Sequence, residues 1–137
     1  MKKIMVVDGQ GGNIGRQLVK QLRESIENIE IMAVGTNSTA TENMIKAGAD
    51  VGATGENAVI VASRKADVIV GPIGIVIADA LLGEVSADMA KAVGQSEAVR
   101  VLIPLNRCET LVAGVGKMNT TALVDDAIEK IKSICEN

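Results

Sequence analysis

Apolar and polar positions fall into short blocks of two kinds along this chain. Ile4 to Val7 is an unbroken apolar run with no helical period, the mark of a strand buried on both faces. Gly9 to Gly15 interrupts it. From Ile14 to about Asn28, the apolar residues Ile14, Leu18, Leu22 and Ile26 recur every four positions and give a helix one apolar stripe. Ile29 to Val34 is a second strand, followed by a turn at Gly35-Thr36-Asn37-Ser38. Thr39-Ala40-Thr41-Glu42 reads as a capping box, with Thr39 as N-cap, and opens a helix that ends at Gly48. Asp50 to Ala53 is a short third strand. The run AVIVASRK, Ala58 to Lys65, suits a strand by composition. The strand Val68 to Val70 follows at once, however, and parallel strands need a crossover, so the run is predicted to be helical.

Gly71-Pro72 ends the fourth strand. Gly74 to Gly83 is apolar except for Asp79 and has no clear period; buried it is core, exposed it is a subunit interface. Ser86 is placed as the N-cap of a helix over Ala87 to Val93. Val99 to Leu105 is a fifth strand, with Pro104 near its end. Only Asn106 to Glu109 separates it from the apolar segment Thr110 to Val115. That gap permits a hairpin and no crossover, which predicts an antiparallel edge strand. Asn119 or Thr120 caps a last helix whose Val124, Ile128, Ile131 and Cys135 share a face. Strand and helix alternate without repeat or linker. The expectation is one domain over residues 1–137, an α/β, three-layer, Rossmann-like doubly wound sheet, mainly parallel with an antiparallel C-terminal edge strand.

Composition narrows the chemistry. The chain has no Phe, Trp, Tyr or His, so its core is built from aliphatic side chains and Met. No imidazole can act as base or metal ligand, no phenol as acid, and no ring can stack on a base. A net charge of -3 without a Lys/Arg stripe argues against nucleic acid as partner. No apolar stretch is long enough to span a membrane, and MKKIMVVD is broken by Asp8 too early for a signal peptide. Cys108 and Cys135 fit no metal spacing and read as reduced thiols, which points to the cytoplasm. No metal site is expected.

The stretch VVDGQGGNIGRQLV carries the main functional signal. In this fold the first strand-to-helix turn lies at the carboxyl edge of the sheet, where helix amides suit an anion. Glycine lets the backbone approach a phosphate, and it equally serves a tight turn. Gly9, Gly12 and Gly15 stand in a G-x-x-G-x-x-G pattern followed by Arg16 and the apolar pair Leu18-Val19. Over these first twenty residues the chain resembles the nucleotide loop of extended and atypical short-chain dehydrogenases. The resemblance implies NAD(P) or another nucleotide, with Gly9, Gly12 and Gly15 at the pyrophosphate and Gln10, Gly11, Asn13 and Ile14 between them. Three departures accompany it. The catalytic tyrosine of those enzymes has no counterpart, Gly35 and Thr36 stand where a ribose-binding acid is expected, and Asp8 precedes the first glycine. A carboxylate there repels a pyrophosphate unless a cation intervenes or its oxygens cap the loop's own amides. Nearly the whole chain is also similar to a family of short bacterial Rossmann-like proteins of unknown function, through VDGQGGNIG, GTNSTAT, GATGENA, VIVGPIGI, LLGEVS and LIPLN.

Further candidates border the same edge. Thr36, Asn37 and Ser38 could bond a ribose or phosphate, or simply cap a helix. Gly71, Pro72 and Gly74 could admit a ligand or form a turn. Gly52 to Asn57 is a second glycine turn, which could be another anion site or, as the favoured reading, a plain turn in which Glu56 suits a helix N-terminus. Asp79 and Glu84 are candidate working carboxylates or metal ligands, with a cap or a subunit contact as the favoured, plainer reading. Asn106, Arg107 and Cys108 offer an anion contact and a thiol nucleophile, or a plain hairpin turn. The expected protein binds a small phosphorylated or nucleotide ligand over Gly9 to Gly15, as a sensor or accessory subunit that forms a homodimer through Gly74 to Leu82. The alternative is an NAD(P)-dependent oxidoreductase using Asp8, Asp79 or Cys108. Gly12→Val is expected to abolish binding and spare the fold.

Overall fold

The computed structural model describes residues 1–105, 110–116 and 118–136. Five strands form one sheet: β1 (Lys2–Asp8), β2 (Ile29–Gly35), β3 (Val51–Thr54), β4 (Val68–Pro72) and β5 (Val99–Ile103). Their order is β3-β2-β1-β4-β5 and every pairing is parallel. This is the Rossmann-like order, in which the winding reverses beside β1. The helices are α1 (Asn13–Ser25), α2 (Ser38–Lys46), α3 (Glu56–Lys65), α4 (Ala87–Gln95) and α5 (Thr120–Glu136), with one 3-10 turn at Ile73–Val76.

The two-residue period of β1 divides the core. Ile4 and Val6 pack with Leu18, Leu22, Met44, Val124 and Ile128 of α1, α2 and α5. Met5 and Val7 point the other way, to Val59 of α3, Ile75, and Met89 and Val93 of α4. Helices therefore cover both faces, as continuous apolar strands require. The run AVIVASRK is α3, because the β3-to-β4 crossover outweighs its strand-like composition.

The antiparallel edge strand is not present among the described residues. β5 stops at Ile103, ahead of Pro104, which has no N–H to donate to a ladder. Residues 111–116 run as exposed chain through a turn at Ala113 and Gly114, with Leu111 82% exposed. A short sequence gap restricts which pairing is allowed; it does not supply the buried face that makes a strand worth pairing.

Local signals also shifted. Asn37, not Thr39, caps α2, its Oδ1 accepting from Ala40 N at 2.9 Å. Thr41 turns inward instead of serving a capping box, and its Oγ1 accepts from Gly35 N at 3.1 Å. Ser86 caps α4 as expected, accepting from Met89 N. Asn119 takes that role at α5, accepting from Ala122 N at 2.8 Å. The Gly74 to Leu82 run divides: Gly74, Ile75 and Ala80 are buried in the core, Val76, Ile77 and Leu81 are half-buried, and Ala78, Asp79 and Leu82, the last 95% exposed, face outward.

Candidate functional site

The site begins with the β1–α1 loop. Asp8 is the last residue of β1 and is buried. Its Oδ1 accepts from Gly9 N at 2.8 Å and its Oδ2 from Gly15 N at 2.7 Å. Of the two ways a carboxylate can stand before a glycine loop, the chain uses the second: Asp8 caps the loop's own amides. It occupies the start of α1, where a nucleotide-binding turn receives a phosphate. Burial raises its pKa above the ordinary carboxylate range. The amides of Gly15, Gly9 and Ile14 pull it down, and the nearby Glu84 charge pushes it up.

Glycine is required at several points of this loop. Gly12 is left-handed, with φ 72°, and a Cβ there would lie 2.7 Å from Ala40 Cα in α2. A Cβ at Gly15 would meet Met44 Sδ at 2.5 Å. Gly11 differs, since nothing lies within 4 Å of its Cβ position and its backbone is not left-handed. Asn37 Nδ2 donates to Gln10 O and Asn43 Nδ2 to Gly11 O, so two side chains of the α2 region fasten the loop. The amides of Gly9, Gln10, Gly12 and Gly15 are each bonded to a protein oxygen. Among the described residues, nothing accepts from those of Gly11 and Asn13.

A strap, residues 77–86, links the 3-10 turn to α4 and lays its tip over the loop. Ala80 and Val85 are buried and hold it down. Asp79, Leu81 and Leu82 have φ of 67°, 56° and 56°, left-handed values that cost a non-glycine residue roughly 1–2 kcal/mol each. Glu84 Oε1 receives three donors from separate segments: Gln10 N at 2.8 Å, Thr36 Oγ1 at 2.6 Å and Asn37 Nδ2 at 2.8 Å. Burial alone would raise the pKa of Glu84. The bonds from Thr36, Gln10 and Asn37 outweigh it and hold the carboxyl below its ordinary range.

What remains open is a small recess of about 110 Å³ at the switch point. The loop from Asp8 to Ile14 forms its floor, and Pro72, Leu81, Leu105 and Thr120 form its walls. The first residue of α1, Asn13, and the first of α5, Thr120, therefore both face it.

The structure brings together most of the residues that the sequence pointed to. Gly9, Gln10, Gly11, Gly12, Asn13, Ile14 and Pro72 line the recess. Gly15 lies beneath them, bonded to Asp8, while Thr36 and Asn37 adjoin them through Glu84. Ser38 is exposed at the start of α2. Gly71 is buried, and a Cβ on it would run into Val7 O, so its glycine serves strand packing. Asp79 is exposed and engages through its backbone, donating to Val85 O. Glu56 accepts from Ser86 Oγ and ties α3 to α4. Asn106, Arg107 and Cys108 lie outside the described residues. Burial pushes the Cys135 thiol pKa up, which disfavours its thiolate form. Sequence reasoning missed Leu81, Leu105 and Thr120. Leu105 and Thr120 could have been found from the rule that strand ends and helix starts meet at the carboxyl edge; Leu81 had no such signal.

Residues 3–136 match the sequence family described as a domain of unknown function, DUF3842. The chain belongs to that family. No curated protein sequence matches it. Among solved structures, this DUF3842 chain is similar to a dodecameric FMN-dependent UbiX-like decarboxylase from Escherichia coli O157:H7. The two share 17% identity over 100% of this chain and 95% of that one, with a TM-score of 0.49. No helix among the described residues is long and apolar enough to cross a membrane.

Proposed function

We propose that this DUF3842 protein binds a small phosphorylated ligand at the switch-point recess, as a sensor or accessory subunit. The observation that carries the reading is the pair of unbonded amides, Gly11 and Asn13, lining a recess that two helix starts face. Such a place offers N–H donors and a favourable helix field to an anion. Its volume of about 110 Å³ suits one phosphate group. A pyrophosphate laid along the loop in the dehydrogenase manner has to compete with Asp8 for the Gly9 and Gly15 amides. A ribose beyond it has to compete with Glu84 for Thr36 and Asn37. Both competitions weigh against NAD(P) and the oxidoreductase alternative. A nucleotide fits this reading only through a terminal phosphate.

The test is a titration of inorganic phosphate followed by amide resonances. The Gly11 and Asn13 amides shift saturably in the wild type. Gly11→Glu, which has open space for its side chain, keeps the fold and loses the shift. If those two resonances fail to saturate by about 10 mM, where even a millimolar site would fill, the reading is wrong.

A further inference from the structure

The crevice beside the recess has a feature that phosphate binding leaves unused. Gln10 N, Thr36 Oγ1 and Asn37 Nδ2 come from the β1–α1 loop and the β2–α2 turn, and all three aim at a single oxygen, Glu84 Oε1. The contacts are short, 2.6 to 2.8 Å, as in bonds to an ionised acceptor. No cation pairs with Glu84 among the described residues, and the buried Asp8 carboxylate is close enough to feel its charge. A clasp between neutral donors and a loop has no need of a charge so placed. Three converging donors select an anionic oxygen, and the strap supplies one.

The strap is built so that this oxygen can leave. Its anchors, Ala80 and Val85, are buried, whereas Leu82 and Gly83 at the tip are exposed and Glu84 is only partly covered. Turning the Glu84 side chain outward frees all three donors without moving the core. The left-handed backbone at Leu81 and Leu82 is held at this exposed tip and has no packing of its own at Leu82.

We propose that Gln10, Thr36 and Asn37 form a carboxylate subsite that Glu84 fills in the ligand-free protein, so that the ligand is a phosphorylated carboxylic acid whose acid arm displaces Glu84. This rests on the phosphate reading of the adjoining recess. The distance from recess to crevice is one loop residue, since Gln10 donates into the crevice and lines the recess as well.

The test removes the resident carboxylate and offers another. Acetate is titrated into Glu84→Ala and into wild type, following the Gln10 backbone amide and the Asn37 side-chain amide, with chloride at equal ionic strength as control. The expected result is saturable acetate binding to Glu84→Ala, at least about tenfold tighter than to wild type, and its weakening when Thr36→Val is added. If Glu84→Ala does not fold, Glu84→Gln serves, because it keeps an acceptor in the crevice that acetate displaces with lower apparent affinity. Absence of a saturable, acetate-specific shift in whichever variant folds overturns the subsite. Inorganic phosphate on the wild type separates the two ideas. Phosphate binding without acetate binding leaves the recess reading standing and removes this inference; acetate binding without phosphate binding removes the reading and, with it, the phosphorylated arm of the ligand, and leaves only the carboxylate subsite.

Discussion

Asp8 decides much of what this loop can do. Its carboxylate takes the amides that a pyrophosphate would take, and it does so while buried. A group whose native pKa is raised holds its proton more readily in the folded chain than in the unfolded one. Between the unfolded and native values the folded state carries the extra proton, so the contribution of Asp8 to stability is fully present below the unfolded value and is lost as pH rises through the native one. Glu84 and Asp50 run the other way. Their native pKa values are lowered, so their contributions exist above the unfolded values and fade as pH falls through the native ones. Asp8→Asn isolates the first effect. Urea unfolding of both proteins across the acid range should give a stability difference, wild type minus variant, that grows as pH falls toward the unfolded value. A difference independent of pH would mean that burial does not raise the Asp8 pKa.

At the scale of elements, the start of α1 is set against α2, and this changes what a glycine substitution tests. Gly12→Val forces a β-branched residue into a left-handed conformation and drives its Cβ against the Ala40 backbone. The expectation that it spares the fold is therefore corrected. It should cost about 2–4 kcal/mol, lowering the midpoint of thermal unfolding, whereas Gly11→Ala should stay within about 0.5 kcal/mol of wild type. Circular dichroism melts of both variants check this; equal melting temperatures would show that α2 yields to the valine. Nothing in the glycine spacing distinguished position 11 from position 12, since the difference lies in which neighbour packs on the loop. The same divide runs through the rest of the chain. The buried strand β1, the crossover helix α3 and the Ser86 cap were legible because they depend on neighbours in sequence. The cap at Asn37 was not, because Asn37, Ser38 and Thr39 are all competent caps and the frame is held by tertiary bonds, from Asn37 to Gln10 and Glu84 and from Thr41 to Gly35 and Thr54. Glu84 reaches Thr36 across 48 positions, so its side chain could be recognised as chemically able but not placed.

The molecule as a whole brings the recess and the Glu84 crevice, the two proposed subsites, to one end of the sheet. The winding reversal beside β1 leaves a gap there, α1 and α5 start at it, and the strap closes its β2 side. With Asp8 and Glu84 both seated, the open volume of about 110 Å³ is below what a nucleobase, ribose and phosphate together need. The chain also lacks any aromatic ring to hold a base by stacking. That absence gives the protein a useful optical property, for without Trp or Tyr it is nearly dark at the long end of the ultraviolet. Freshly purified protein, freed of nucleic acid by nuclease and passed through gel filtration, should therefore show no band near 260 nm. The same sample should gain thermal stability on adding phosphate, by about 2.7 kcal/mol when phosphate reaches one hundred times its dissociation constant. A persistent 260 nm band, with a nucleotide in the denatured supernatant, would mean that the strap opens to admit a base and that the closed crevice is not the binding state. A blank spectrum with phosphate-dependent stabilisation is the pattern that a receptor for small phosphorylated acids produces.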